Sequence, residues 1–283
     1  MARRLSEPTA HPLPAQGSLR GLPAPPTIGV FDSGVGGLSV LREIRRALPA
    51  AELLYVADSG HAPYGDRDAG FIAARVLAIA DFFVQHDVGA IVVACNTASV
   101  VALPALRARF TRPVVAIEPA IKPAAQRSRS GVVGVLATSR TVASAGVARL
   151  VEDHGQQVRV LLQACPGLVE QVERAELAGA QIEALVERYV RPLLAQGADT
   201  LVLGCTHYPF LRDVIERVAG PGVEVIDPAP AVARELARRV PPTAQHAGHR
   251  GTERFWTTGA LEQAGTVIPA LWGQPVQLHS LPS

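Results

Sequence analysis

Two stretches of this sequence carry the same chemical groups in the same setting. Ile91-Val92-Val93-Ala94-Cys95-Asn96-Thr97 and Leu201-Val202-Leu203-Gly204-Cys205-Thr206-His207 each run from apolar residues to a small residue, a thiol and two hydrogen-bonding residues. An apolar, β-branched run that stops at turn chemistry reads as a buried strand ending in a loop. A lone cysteine in that place is more often an inert core residue. Two in matching positions of matching halves point to thiols facing each other across a cleft. Such a pair suits a base on one face of a carbon and an acid on the other, as in moving the Cα proton of an amino acid. With a thiol pKa of about 8.5, one sulfur must serve as thiolate and the other as thiol.

The elements that must position the thiols can be read outward from them. Both cysteine segments are followed by Pro-x-Leu-Arg, at Pro104 to Arg107 and Pro209 to Arg212, and both are preceded by an amphipathic helical pattern. Ile182, Leu185, Val186, Tyr189, Val190 and Leu193 form that stripe before the second. The expected fold is α/β: two pseudo-symmetric, flavodoxin-like domains with mostly parallel sheets and an interdomain cleft. Open parallel sheets bind ligands at the carboxyl ends of their strands. The expected division is a disordered arm over 1–26, a first domain from 27–121 plus 228–283, and a second from 122–227. Ile28 to Phe31 reads as the first strand, and Asp32-Ser33-Gly34-Val35-Gly36-Gly37 as a glycine turn before a helix. Ser39 replaces the third glycine of a dinucleotide fingerprint, but the turn's N–H groups could still hold an anion. Asp58 to Gly65 reads as a functional loop, Lys122 to Ser130 as a polar link, and Ala231 to Val240 and Phe255 to Thr258 as a helix and strand returning to the first half.

Composition removes several classes of chemistry. The chain has 283 residues, 48% apolar and 18% charged, with net charge +2. Arginines are scattered among acids, so no nucleic-acid face is expected; Arg42, Arg45 and Arg46 read as the solvated side of a helix. Lys122 is the only lysine, so there is no Walker-type Gly-Lys-Ser/Thr and little basis for a pyridoxal Schiff base. Three cysteines without paired spacing indicate reduced thiols and a cytoplasmic protein. No stretch has the length of a membrane span. Cys165, before Pro166, has no twin and reads as structural. His246 and His249 lack a third ligand, so no metal is expected.

Joint motifs then carry a resemblance. Gly29-Val30-Phe31-Asp32-Ser33-Gly34-Val35-Gly36-Gly37-Leu38, Ala57-Asp58-Ser59, Pro63-Tyr64-Gly65, Val93 to Ala98, Glu118 to Pro123 and Leu203 to Pro209 resemble the glutamate racemases of the cofactor-independent aspartate/glutamate racemase superfamily. The resemblance spans Ile28 to about Gly259. It implies that Cys95 and Cys205 are the acid/base pair, with Asp32, His207 and Glu173 as helpers. It implies that Asp32, Ser33, Tyr64, Gly65, Asn96, Thr97, Thr206 and His207 bind glutamate, without cofactor or metal. It also implies D-glutamate supply for peptidoglycan, a homodimer, and a cell-wall-precursor effector for some members with N-terminal extensions. Three plainer roles remain open from the residues themselves: Asp32 as a helix cap, His207 as a structural hydrogen-bonder, and Tyr64 as a turn closer. A relative acting on aspartate and a non-catalytic glutamate sensor are the rival functions.

Overall fold

A computed structural model describes residues 26–242 and 250–281. The arm and the His246/His249 loop therefore lie, apart from Pro26, outside the described residues. The first half alternates β1 (Thr27–Asp32), α1 (Leu38–Ala47), β2 (Glu52–Ala57), α2 (Ala69–Gln85), β3 (Ala90–Val93), α3 (Asn96–Arg109) and β4 (Val114–Ala116). Two 3-10 turns, Ser59–His61 and Tyr64–Asp66, fill the loop after β2. Next come α4 (Ile121–Arg127), β5 (Val132–Ala137), α5 (Ser139–Val142), α6 (Ala145–His154), β6 (Arg159–Ala164) and α7 (Leu168–Val172). α8 (Ala180–Ala195), β7 (Thr200–Gly204), α9 (Arg212–Ala219) and β8 (Glu224–Ile226) complete the second repeat. The tail carries α10 (Ala229–Arg239), β9 (Glu253–Thr257), α11 (Leu261–Trp272) and β10 (Leu278–Ser280).

The strands form two sheets, in the orders β10-β9-β2-β1-β3-β4 and β6-β5-β7-β8. All the pairings among the described residues are parallel. Within each sheet, four strands share one order: second, first, third, fourth. The pseudo-symmetric α/β fold expected from the two cysteine runs is the observed one. Its reason is burial on both faces: Ala90–Val93 and Thr200–Gly204 are buried throughout, as strands covered on both sides by crossover helices must be. Side-chain caps from Asp68, Thr138 and Ser144 start α2, α5 and α6. Each is worth about 1 kcal/mol.

The core does not divide along the two sheets. Ile28 and Val30 of β1, Leu38 and Leu41 of α1, Val186 and Val190 of α8, Leu201 and Leu203 of β7, and Val232 and Leu236 of α10 belong to one apolar cluster. Separate clusters lie under α2 and α3 on the first sheet and under α4 and α6 on the second.

Three local expectations are corrected. The Pro-x-Leu-Arg pair is not a structural repeat: Pro104 lies inside α3, whereas Pro209 lies in a 3-10 turn (Tyr208–Leu211) before α9. The Lys122 to Ser130 link is largely helix α4, because Ile121 and Ala124 bury against the second sheet. Arg45 is not a solvated residue of α1. It is 8% exposed, pairs with Glu253 at 2.5 Å, and donates to the carbonyls of Pro49, Ala51 and Thr252.

Candidate active site

The site forms where β1 and β3 of the first sheet, and β5 and β7 of the second, end. β1 has β2 on one side and β3 on the other, so chain order reverses there and the loops diverge. The same holds for β5 between β6 and β7. Ser33, Tyr64, Gly65, Cys95, Asn96 and Thr97 from the first repeat line one cavity with Cys205, Thr206 and His207 from the second. The sequence reading named all of these.

Cys95 caps α3, and its sulfur accepts the Ala98 N–H at 3.4 Å. The thiol reaches the Ser33 hydroxyl at 3.6 Å. Burial pushes the Cys95 thiol well above its ordinary range, and the Asp32 carboxylate adds to this. Asp32 is fully buried at the end of β1. One of its oxygens accepts the Ser33 N–H at 2.7 Å; the other accepts the Gly37 N–H at 2.6 Å and the Thr206 hydroxyl at 3.1 Å. Burial raises this carboxyl, partly opposed by His207 and the Cys95 thiol. It does not cap α1, whose N-cap residue is Gly37.

The second thiol has a different neighbourhood. Cys205 Sγ lies 3.6 Å from His207 Nδ1, and His207 Nε2 lies 2.7 Å from Glu173 Oε1. That carboxylate also accepts the Val35 N–H at 2.8 Å. Burial alone would lower the His207 pKa, but its bonds to Cys205 and Glu173 win and raise it well above the ordinary value. A histidine that keeps its proton places positive charge beside Cys205. Cys165 is also buried but does not line the cavity; its thiol donates to the Gln163 carbonyl at 3.3 Å, and burial pushes it up to about 12.

Comparison with known proteins decides the family. The sequence profile of the Asp/Glu/Hydantoin racemases matches residues 28–236. The chain belongs to that racemase family. It is 51% identical over 258 residues to the glutamate racemase of Methylococcus capsulatus, covering 90% of this chain and 95% of that one. It is 49% identical to the glutamate racemase of Pseudomonas aeruginosa, with 90% and 97% covered. Among solved structures it resembles Escherichia coli glutamate racemase in complex with L-glutamate and the activator UDP-MurNAc-Ala. There the TM-score is 0.81 at 35% identity, covering 91% of this chain and 98% of that one.

In this racemase the glycine turn has a use that the sequence did not disclose. Its N–H groups hold the protein's own anions: Val35 takes Glu173 and Gly37 takes Asp32. Carboxylates from both halves take two of the N–H groups that the turn could offer to an anion. Close approach explains two glycines. A Cβ at Gly34 would lie 1.9 Å from Glu173 Oε1, and one at Gly36 would lie 2.3 Å from His207 Nδ1.

No role followed from sequence for a hydroxyl cluster or for Asp58, a buried carboxylate that figured there only as a motif and loop residue. Thr97 Oγ1 lies 3.0 Å from Thr138 Oγ1 and 3.2 Å from Thr141 Oγ1, joining the two halves. The internal symmetry could have found Thr138, since it follows β5 as Ser33 follows β1. Asp58 follows β2 with no exposure and pairs with Arg75 at 2.9 Å. Burial opposes its ionisation, but hydrogen bonds from Arg75, Tyr64 and Thr258 outweigh it and lower its pKa. A lowered folded-state value stabilises the fold above the unfolded pKa of about 3.9 and is lost as pH falls through the folded value. Asp58→Asn is therefore expected to melt below wild type at pH 7. That gap should begin to shrink in melting scans taken below about pH 4 and close only below the lowered folded-state value, where native wild-type Asp58 also loses its charge.

Asn96 is the polar group that points to a ligand. Its side chain is 3% exposed and lines the cavity, yet neither its amide nitrogen nor its oxygen has a hydrogen-bond partner. A buried, unpaired amide costs about 1–3 kcal/mol. The cavity measures only about 20 Å³, room for about one water molecule.

Proposed function

We propose that this racemase interconverts L- and D-glutamate by two-thiol proton transfer at Cα, without cofactor. The observation that carries the reading is that Cys95 and Cys205, from matched strand ends, line one cavity beside the unpaired Asn96 amide. The relatives reported above are glutamate racemases, which supports the substrate.

The two neighbourhoods suggest a starting protonation state. Cys95, buried beside the Asp32 carboxylate, keeps its proton, whereas Cys205 lies beside the His207 imidazole that Glu173 holds. Cys205 then takes the Cα proton from one face while Cys95 delivers one to the other, and reversal of these states serves the other enantiomer. Asn96, Thr97, Ser33, Thr206 and the Tyr64-Gly65 backbone hold the substrate's charged ends. The Thr138 and Thr141 hydroxyls add donors from the second half. Donors fixed in a closed, dry site stabilise charge that develops at the reacting centre.

In the cell, this activity would supply D-glutamate for peptidoglycan from the cytoplasm, with the protein as a homodimer. A phosphorylated effector is part of the same reading, supported by an arginine-bearing cleft. A cleft of about 490 Å³ is lined by Arg42, Arg46, Arg127, Arg212 and Arg234 together with the acids Glu43 and Asp227, and Arg46, Arg127 and Arg212 are paired with glutamates. Ser39, at the same cleft, donates to the Thr206 carbonyl at 2.9 Å.

The test is incubation of each glutamate enantiomer with purified protein in D2O, followed by NMR and circular dichroism. Loss of the Cα–H signal together with decay of optical activity is the expected result. Binding without exchange would favour a sensor, and exchange with aspartate alone would move the substrate. Repeating the assay with UDP-MurNAc-Ala tests the effector, and sedimentation tests the dimer.

A further inference from the structure

The tail after β9 is bonded to the start of the loop after β2 through Thr258. Thr258 Oγ1 donates to Asp58 Oδ1 at 2.8 Å and accepts the Gly60 N–H at 3.1 Å. Its backbone N–H donates to the Ala57 carbonyl at 3.1 Å. The approach is so close that a Cβ at Gly60 would lie 2.5 Å from the Thr258 carbonyl oxygen. Thr258 thus clamps both ends of the short segment that leads from β2 into the Pro63-Tyr64-Gly65 wall of the cavity.

Asp58 passes that constraint on. Its Oδ1 accepts Thr258, Arg75 and, at 3.0 Å, His61 Nδ1; its Oδ2 accepts Arg75 Nε at 3.1 Å and the Tyr64 hydroxyl. Donors on both oxygens fix the rotation of the carboxylate, and with it the place of the buried Tyr64 ring. Tyr64 and Gly65 line the cavity with Cys95, and a Cβ at Gly65 would meet Thr138 of the other half at 3.3 Å. A small rotation of Asp58 therefore shifts the wall against which the substrate and the second half close.

We propose that Thr258 is a positioning residue for substrate binding, acting through Asp58 and Tyr64 on the 63–65 wall. The inference rests on the glutamate racemase reading of the same cavity. The wall lies beside the bound molecule and takes no part in the proton transfer, so its loosening weakens ground and transition states alike. Such a loss raises KM and leaves kcat nearly unchanged.

The experiment compares Thr258→Val, which keeps the shape and removes the hydroxyl, with Thr258→Ser, which keeps the hydroxyl. Loss of one hydrogen bond to a carboxylate is expected to raise KM about fivefold for both enantiomers, with kcat within about twofold of wild type. Thr258→Ser should stay near wild type. In a Tyr64→Phe background, where the link is already cut, Thr258→Val should add little. An unchanged KM in Thr258→Val, even with a lower melting temperature, overturns the proposal. Equal impairment of the Ser and Val variants does so too, as does full additivity with Tyr64→Phe. If wild-type protein itself fails to exchange the Cα proton of glutamate, the functional reading falls and the proposal falls with it. Failure in the variants alone leaves the reading standing.

Discussion

Replacing either Cys95 or Cys205 with alanine is expected to lower racemisation by about three orders of magnitude or more, within the range for losing a general acid or base. The two losses should be alike in size and different in kind. A protein with one thiol can still remove the Cα proton from the face that thiol serves, and can return a solvent-derived proton only to the same face. Each single variant should therefore exchange the Cα proton of one enantiomer without inverting it, and the two variants should choose opposite enantiomers. Deuterium incorporation followed separately for L- and D-glutamate reads this directly. A single variant that still inverts at near wild-type rate would sink the two-thiol mechanism. Cys165→Ala is the control: its thiol is bonded to the Gln163 carbonyl and does not line the cavity, so its kcat should be close to wild type.

The second large effect comes from a residue with no functional group. In Gly36→Ala, the new methyl would fall 2.3 Å from His207 Nδ1 and 2.7 Å from Thr206 Oγ1. Contacts this short force the imidazole off Cys205 and the Thr206 hydroxyl off Asp32. Misplacing catalytic groups by about 1 Å can cost about 100-fold in rate, and overpacking of this kind costs about 1–3 kcal/mol of stability. Activity should thus fall about 100-fold in protein that remains folded by circular dichroism. The pH–rate profile should also change shape, because His207 loses the partner that raises its pKa. Wild-type kcat and profile in the Gly36→Ala protein would mean that the loop gives way without disturbing the histidine.

How much of this could be read from the sequence follows from what each feature depends on. The two cysteine strands were legible because burial on both faces leaves an uninterrupted apolar run, and a strand repeated with its terminal thiol announces a repeated unit. The grouping of Ser33, Tyr64, Asn96, Thr206 and His207 at one cavity followed from strand ends and motif resemblance. Thr258, Asp58 and the Thr138–Thr141 pair were harder. Their importance lies in contacts between segments up to 200 residues apart, such as Thr258 with Asp58, which no local pattern encodes. The glycine turn was legible only in part, for a related reason. Its spacing says that N–H groups are available, but only the packed second half shows that Glu173 occupies one of them. The Pro-x-Leu-Arg coincidence misled differently: proline fits inside α3 as well as in a tight turn, so identical letters took unlike structures.

The shared core bears on how the chain folds. β1, α1, α8, β7 and α10 contribute to one apolar cluster, so neither repeat contains all the partners for its own inner face. A separated half would present that face to water. The two repeats are thus a duplication in topology but one unit in cooperativity: they should gain and lose their packing together, as a single transition.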